Sequence, residues 1–269
     1  MSEAPRYGIV TGAAGALGRA LAVRLARNGW HLALADVDVR GAEETQRAVR
    51  AAGGRGQVEP LNVADPAAWD AMLRQLQEAW PRLDLLVNNA GVAGAGEVGT
   101  FPLTDWRWLL DVNLFGTIHG CHACVPWLKL NPRGGHILNI SSIAGYASFP
   151  FSAAYNVSKA GVLSLSETLH AELAQHDIGV TAVCPGFFPS TLLAKGRTAR
   201  VELLRAGEEL MQHSGYTAED VAEQAVRAIG KRRLYVVTSP KARTIWRIKR
   251  WTPGIFASLL RRWGRRELK

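Results

Sequence analysis

Cysteine is scarce in this chain, three in 269 residues. That is too few for a disulfide framework, and a reducing cytoplasm is the expected setting. No apolar run reaches the roughly 18 residues that a membrane-spanning helix needs. The opening MSEAPRYGIVTGAAGALG carries an acid at Glu3 and turns glycine-rich early, without the basic, apolar and cleavable layout of a signal peptide. Internal repeats and linker-like stretches are missing from the first 230 residues. Acids are nearly missing from the end: beyond Gly230 there are 13 basic residues and one acid, Glu267. The first 230 residues hold 19 basic and 22 acidic side chains, so the net charge of +9 belongs to a tail. A body without a basic patch speaks against a nucleic-acid partner. What is plentiful is apolar: 48% of residues are hydrophobic and 20% charged, which excludes a wholly disordered chain.

Strand-like and helix-like runs alternate. Residues 7–11, 31–36, 57–62, 83–87, 136–140, 178–184 and 233–238 read as strands. Residues 17–28, 41–52, 66–80, 105–128, 152–175 and 217–229 read as helices. Strands alternating with helices of ten or more residues imply parallel crossovers and a sheet covered on both faces. The expectation is a Rossmann-like, doubly wound α/β domain over residues 1–238, followed by a basic amphipathic tail over 239–269. Residues 187–216 form the longest stretch without a predicted strand and are the expected lid.

The first strand runs directly into Thr11-Gly-Ala-Ala-Gly-Ala-Leu-Gly18 and then into a helix. Glycine permits a sharp turn and close approach to a phosphate, and a helix start offers free N–H groups to a pyrophosphate. The same pattern also serves as a plain tight strand–helix connection. No Lys-Ser/Thr pair follows the glycines, which speaks against a triphosphate P-loop. Asp36 closes the second strand, 18 residues after Gly18. A carboxylate there accepts both hydroxyls of an adenosine ribose and repels a 2′-phosphate, favouring NAD(H) over NADP(H). Arg19 and Arg40 are the residues that would argue for the phosphate, so NADP(H) stays open.

Tyr155 and Lys159 are one helical turn apart and share a face. A phenol ionises near 10 and is a poor base at neutral pH, but a nearby ammonium stabilises the phenolate. The pair can then serve an alcohol–carbonyl couple as general acid and base. Ser142 follows a predicted strand, so its hydroxyl falls at the carboxyl edge of the sheet, where open α/β folds bind ligands.

Taken together, these motifs resemble the short-chain dehydrogenase/reductase family over about residues 7–240. Thr11, Gly12 and Gly18 match its cofactor turn. Asn88-Asn-Ala-Gly91 matches the segment that closes its fourth strand and supports the central sheet. Asn113, Ser142, Tyr155 and Lys159 match its catalytic tetrad, with Asn113 acting through a bound water, and Pro185-Gly186 matches the turn beside the nicotinamide. The resemblance implies a seven-stranded parallel sheet, oligomers of two or four copies, and a dinucleotide held by Gly12, Ala14, Gly15, Ala16, Leu17, Gly18, Asp36, Asn62, Val63, Asn89, Ala90, Gly91, Tyr155, Lys159, Pro185, Gly186, Phe188 and Ser190. This chain departs from the family in three places. Ala16 replaces the middle glycine, adding a methyl near the pyrophosphate. Asn62 replaces the aspartate that holds the adenine amine, keeping an acceptor oxygen. Ser190, with Thr191 beside it, stands for the nicotinamide-binding threonine. The implied activity is hydride transfer between NAD(H) and a secondary alcohol or ketone; the alternative is a non-catalytic dinucleotide sensor or scaffold of the same fold.

Three further features need an account. His119, Cys121, His122 and Cys124 crowd one predicted helix, where small buried residues explain them better than a metal site, and no metal is expected. Tyr146 to Phe151, with Phe187, Phe188, Leu192, Leu193, Leu203, Leu204, Leu210 and Met211, make the substrate side apolar and suit a lipophilic substrate. In the tail, Ile255, Phe256, Leu259, Leu260 and Trp263 share a helical face, with Arg261, Arg262, Arg265 and Arg266 off it. Ile245, Trp246, Ile248 and Trp251 sit among Arg243, Arg247, Lys249 and Arg250. That pattern suits a peripheral helix on an anionic membrane, or equally a helix packed on the body or on a second subunit.

Overall fold

The computed structural model describes residues 5–198 and 201–267. In chain order the main elements are β1 (Arg6–Thr11), α1 (Ala16–Ala26), β2 (Trp30–Asp36), α2 (Val39–Ala51), β3 (Arg55–Pro60), α3 (Pro66–Ala79), β4 (Leu85–Asn88), β5 (Gly94–Ala95), α4 (Leu103–Leu110), α5 (Gly116–Lys129), β6 (Gly135–Ile140), α6 (Ala144–Ala147), α7 (Ala153–Glu172), β7 (Ile178–Cys184), β8 (Arg197–Thr198), α8 (Val201–Gln212), α9 (Ala218–Gly230), β9 (Tyr235–Val237), α10 (Pro240–Trp251) and α11 (Pro253–Glu267). Seven strands form one parallel sheet in the order β3-β2-β1-β4-β6-β7-β9.

Alternation along the strands builds the two layers. In β1, Ile9 faces one core and Val10 the other; Leu32 and Leu34 of β2 face opposite to Ala33 and Ala35. Both faces of the sheet are therefore apolar, and each is covered by helices. Apolar residues of α1, α2 and α9 join the core that holds Val10, Leu32 and Leu138. Trp69, Leu76, Cys124, Trp127 and Leu169, from α3, α5 and α7, join the core that holds Ile9 and Ile137. Strand order reverses between β1 and β4, so their carboxyl ends diverge into a crevice at the switch point.

Side chains cap some of the helix starts and leave others, α1 among them, uncapped. Asp38, Asp65, Thr217 and Ser239 cap α2, α3, α9 and α10 through their side chains. The start of α1, at Gly15, has no side-chain cap, leaving its first N–H groups free for a ligand.

Two sequence expectations need correction. Residues 105–128 are not one regular helix: α4 and α5 are separated by a π-turn, Asp111–Phe115, with Asn113 at its centre. Helical periodicity continues through a π-turn, so spacing alone does not reveal it. The stretch 187–216 is not without a strand: β8 pairs with β5, and α8 follows. A two-residue strand and an amphipathic helix carry too little periodic signal in isolation. The tail, for which packing on the body was one expected arrangement, lies partly against it. Ala242 and Phe256 are buried with Ile143, Tyr146 and Cys184, and Tyr146 donates its hydroxyl hydrogen to the Ala242 carbonyl at 3.2 Å. Of its predicted apolar face, Phe256 and Leu260 turn inward, whereas Ile255 and Leu259 are exposed.

Candidate active site

The cofactor turn is shaped by contacts that leave no room for side chains. Gly12 has φ +64, and a Cβ there would lie 2.7 Å from the Ala90 Cα. A Cβ on Gly18 would lie 2.1 Å from the Gly12 carbonyl oxygen. Both positions therefore require glycine. At Gly15 an added Cβ would make ordinary contact, 3.4 Å from that oxygen. The turn is tied to β4 by Asn89, whose Nδ2 donates to the Thr11 and Gly12 carbonyls at 2.9 and 3.1 Å. Thr11 Oγ1 donates to the Val87 carbonyl and accepts from the Asn89 and Ala90 amides at 2.9 and 3.0 Å.

Asp36, at the carboxyl end of β2, accepts the Ala14 amide at 2.9 Å and the Asp38 amide at 2.9 Å. It is no helix cap, since Asp38 does that work for α2. Of the two basic residues that would argue for a phosphate, Arg19 is engaged with Glu44 at 2.8 Å and Thr45 at 3.1 Å. Asn62 accepts the Ala64 amide at 3.1 Å and lines the same crevice as Val63.

The four tetrad positions come together on the far side of the turn. Ser142 follows β6, its hydroxyl accepting the Ala144 amide at 3.1 Å and bonding the Tyr155 hydroxyl. Tyr155 and Lys159 project from α7, with the ammonium 5.9 Å from the ring centre. Lys159 Nζ donates to the Ile140 carbonyl at 2.9 Å. Asn113 is fully buried: Oδ1 accepts the Val92 amide at 2.8 Å, while Nδ2 donates to the Val92 carbonyl at 2.9 Å and to Ser158 at 3.1 Å. A Cβ built on Gly91 would lie 3.2 Å from Asn113 Oδ1 and 3.5 Å from Lys159 Nζ, so these two groups face each other across Gly91. The π-turn is what aims Asn113 there.

Electrostatics differ from the simple expectation in one respect. Burial pushes the Tyr155 phenol up, and its hydrogen bond with Ser142 offsets only part of that effect. Burial also pushes Lys159 down to about 8. Tyr155 is therefore a protonated phenol at neutral pH, a proton donor rather than a ready base.

A cleft of about 1560 Å³ joins these groups. It exceeds the roughly 300–1,000 Å³ of a drug-sized pocket, leaving space for a dinucleotide and a substrate together. It runs from Asp36 past the glycine turn to Tyr155 and on to an apolar end formed by Phe149, Phe187, Leu192, Leu203 and Met211. Pro185, Gly186, Phe188, Ser190 and Thr191 line it. The Leu204 side chain lies outside those described. Sequence reasoning missed Val92, Trp108, Ile245 and Trp263, which also line the cleft. No motif marks them, because they come from separate elements that only the fold brings together. Phe151, on the cleft wall, holds φ +59, unusual for an aromatic residue. His119, Cys121, His122 and Cys124 do not converge. The two cysteines are buried, His119 bonds the Val63 carbonyl, and His122 is exposed.

An open parallel sheet with a glycine turn at one side of its switch point and a Ser–Tyr–Lys cluster at the other defines a dinucleotide-binding fold of the dehydrogenase type. Residues 7–201 match the family described as short chain dehydrogenase. The chain belongs to that family. It is 30% identical over 266 residues to a protein of Mycobacterium tuberculosis named probable oxidoreductase EphD, covering 94% of this chain and 44% of that protein. The chain thus spans less than half the length of that relative. A protein of Mediterraneibacter gnavus named 3beta-hydroxysteroid dehydrogenase is 33% identical over 210 residues, covering 76% of this chain and 75% of the other. Among solved structures, a short chain dehydrogenase/reductase of Burkholderia phymatum in complex with NAD superposes with TM-score 0.88 at 31% identity, covering 95% of this chain and 96% of the other.

Proposed function

We propose that the chain is an NAD(H)-dependent oxidoreductase that interconverts a lipophilic secondary alcohol and its ketone. The observation that carries this reading is the convergence of Ser142, Tyr155 and Lys159 at the carboxyl edge of the sheet, in one cleft with Asp36. When bound, the nicotinamide supplies or accepts the hydride. The free N–H groups at the start of α1 and the side-chain-free surface at Gly12 and Gly18 suit a pyrophosphate. Asp36 would take the adenosine ribose, and the ion pair of Arg19 with Glu44 supports NAD(H) over NADP(H). Asn62 and Val63 would border the adenine. Lys159 and Tyr155 would hold the second ribose, while Pro185, Gly186, Phe188 and Ser190 would border the nicotinamide.

In the reductive direction Tyr155 donates its proton to the carbonyl oxygen, and Ser142 donates a hydrogen bond to the same oxygen. Lys159 stabilises the phenolate that remains. Asn113 is a positioning residue, fastened to the Val92 backbone and poised across Gly91 from the lysine. Arg197 of β8, paired with Asp105 at 2.8 Å and stacked 4.0 Å over Trp108, pins the middle of the lid segment. The apolar end of the cleft excludes water and suits a lipophilic substrate, in line with the steroid named for one relative. Three unpaired, buried cysteines fit a reducing, cytoplasmic setting.

The test is nicotinamide absorbance with a panel of secondary alcohols and ketones, hydroxysteroids included. Tyr155→Phe should lower kcat by about 10² or more while leaving NADH binding intact. Near-normal turnover of that variant on the best substrate would refute the assignment. NADH binding without turnover of any panel member would favour the sensor alternative.

A further inference from the structure

The C-terminal helices raise a question that the oxidoreductase reading does not answer. They bury one side of themselves against the body, yet leave large apolar side chains in water on the other. Trp251 is 80% exposed, Ile255 59% and Leu259 49%. Ile255 and Leu259 lie one turn apart on α11, and Trp251 is the last residue of α10, just before the break at Thr252. Phe256, one residue on from Ile255 and so about 100° around the helix, is 8% exposed and sits in the core with Ile143 and Tyr146. Arg262 and Arg265 follow Ile255 and Leu259 on the side away from Phe256, and both are exposed. The helix thus carries three strips in succession: apolar inward, apolar outward, cationic outward.

Basic side chains outnumber acids around α10, the acids there being Glu223 and Glu167, the latter accepting from the Tyr235 hydroxyl at 2.7 Å. Arg243 and Arg247 of α10, with Arg227, Lys231 and Arg233, ring a hollow of about 410 Å³ whose walls include Tyr235 and Trp246. Of these, Arg227 is paired with Glu223 at 2.6 Å. Arg250 stacks on Trp246 at 5.1 Å. No helix among the described residues is long and apolar enough to cross a membrane. Tryptophan and leucine flanked by arginine suit the boundary between headgroups and acyl chains. A second copy seated on the same face would bring these arginines against each other.

We infer that the outer face of α10–α11, built on Trp251, Ile255 and Leu259 with Arg262 and Arg265, docks on the surface of an anionic lipid bilayer. The inner side of the same helix reaches the cleft. Trp263 lines it and meets Phe149 edge-on at 5.5 Å, and Phe149 lies 6.3 Å from Phe187 at the start of the lid. Docking therefore places the apolar mouth of the cleft beside the bilayer. Attachment itself stands apart from the oxidoreductase reading, whereas uptake of substrate from the bilayer rests on it.

The experiment is vesicle flotation of the full chain with phosphatidylcholine alone and with phosphatidylcholine containing phosphatidylglycerol. Mass-resolved gel filtration and NADH binding accompany it. Flotation should occur only with the anionic vesicles and weaken at least about tenfold from 50 to 500 mM salt, as screened attraction requires. W251S/I255S/L259S should lose at least about tenfold in vesicle partitioning. R262E/R265E should lose flotation as well, and both variants should keep NADH binding and the mass of the wild type. Absence of flotation at low salt overturns the inference, as does flotation unchanged in both variants. An assembly that dissociates in the triple variant also overturns it, assigning the face to a second copy. Failure of NADH binding in the wild type would refute the dehydrogenase reading and leave the docking result standing.

Discussion

Lys159→Met should make the protein more stable and inactive at once. The lysine is 4% exposed, and burial lowers its pKa from 10.5 to about 8. At about 1.4 kcal/mol per pH unit, holding its charge in the folded chain at pH 7 costs about 3 kcal/mol. Because the folded pKa lies below the unfolded one, that cost is fully present below about pH 8. It fades as pH rises toward 10.5, where the unfolded chain also loses the proton. Methionine removes the charge at similar length. It also removes the donor to the Ile140 carbonyl, at 2.9 Å, which offsets about 1–2 kcal/mol. A net gain of about 1–2 kcal/mol should remain at pH 7, raising Tm by about 2–4 °C in a chain of this size. Near pH 10.5 the cost has vanished and the lost hydrogen bond has not, so the variant should be the less stable protein. Thermal unfolding followed by circular dichroism at pH 7, 9 and 10.5, without dinucleotide, measures both signs. A variant less stable than wild type at pH 7, or a difference independent of pH, would refute the reasoning. Turnover should fall by about 10² or more, since the phenolate of Tyr155 loses its ammonium.

Asp36→Ala should narrow the preference for NAD(H) over NADP(H) by about tenfold or more, read as the ratio of kcat/KM values, because the repelling carboxylate is gone; a wild type that prefers NADP(H) would show that Asp36 has been misread. Thr11→Val keeps the shape but leaves the Asn89 and Ala90 amides without their shared acceptor. It should cost about 2–4 kcal/mol in urea unfolding, and an unchanged midpoint would mean that water replaces the hydroxyl.

Much of the fold was legible because the relevant physics is local or periodic. Apolar strand-like runs alternating with helix-like runs of ten or more residues are written in neighbouring residues, and so the parallel, two-faced sheet could be inferred from the sequence. The glycine turn was legible for a similar reason: Gly12 must hold a positive φ and Gly18 must meet a carbonyl without a Cβ. Ser142, Tyr155 and Lys159 were legible from helix spacing and family likeness. The π-turn that aims Asn113 was not, because it changes hydrogen bonding without changing the apolar pattern.

Other properties depend on which surfaces meet. The sequence contained an amphipathic, basic tail, but the division of its apolar residues into an inward strip at Phe256 and Leu260 and an outward strip at Ile255 and Leu259 arises only when α11 docks beside Tyr146 and Phe149. Trp108, Ile245 and Trp263 joined the cleft in the same way, from elements far apart in the chain. The charge state of Tyr155 and Lys159 belongs here too. Adjacency in sequence suggested a phenol lowered by its lysine, whereas burial of both groups raises the phenol and lowers the lysine. Desolvation depends on the atoms packed around a group in three dimensions, and one-dimensional spacing does not contain it.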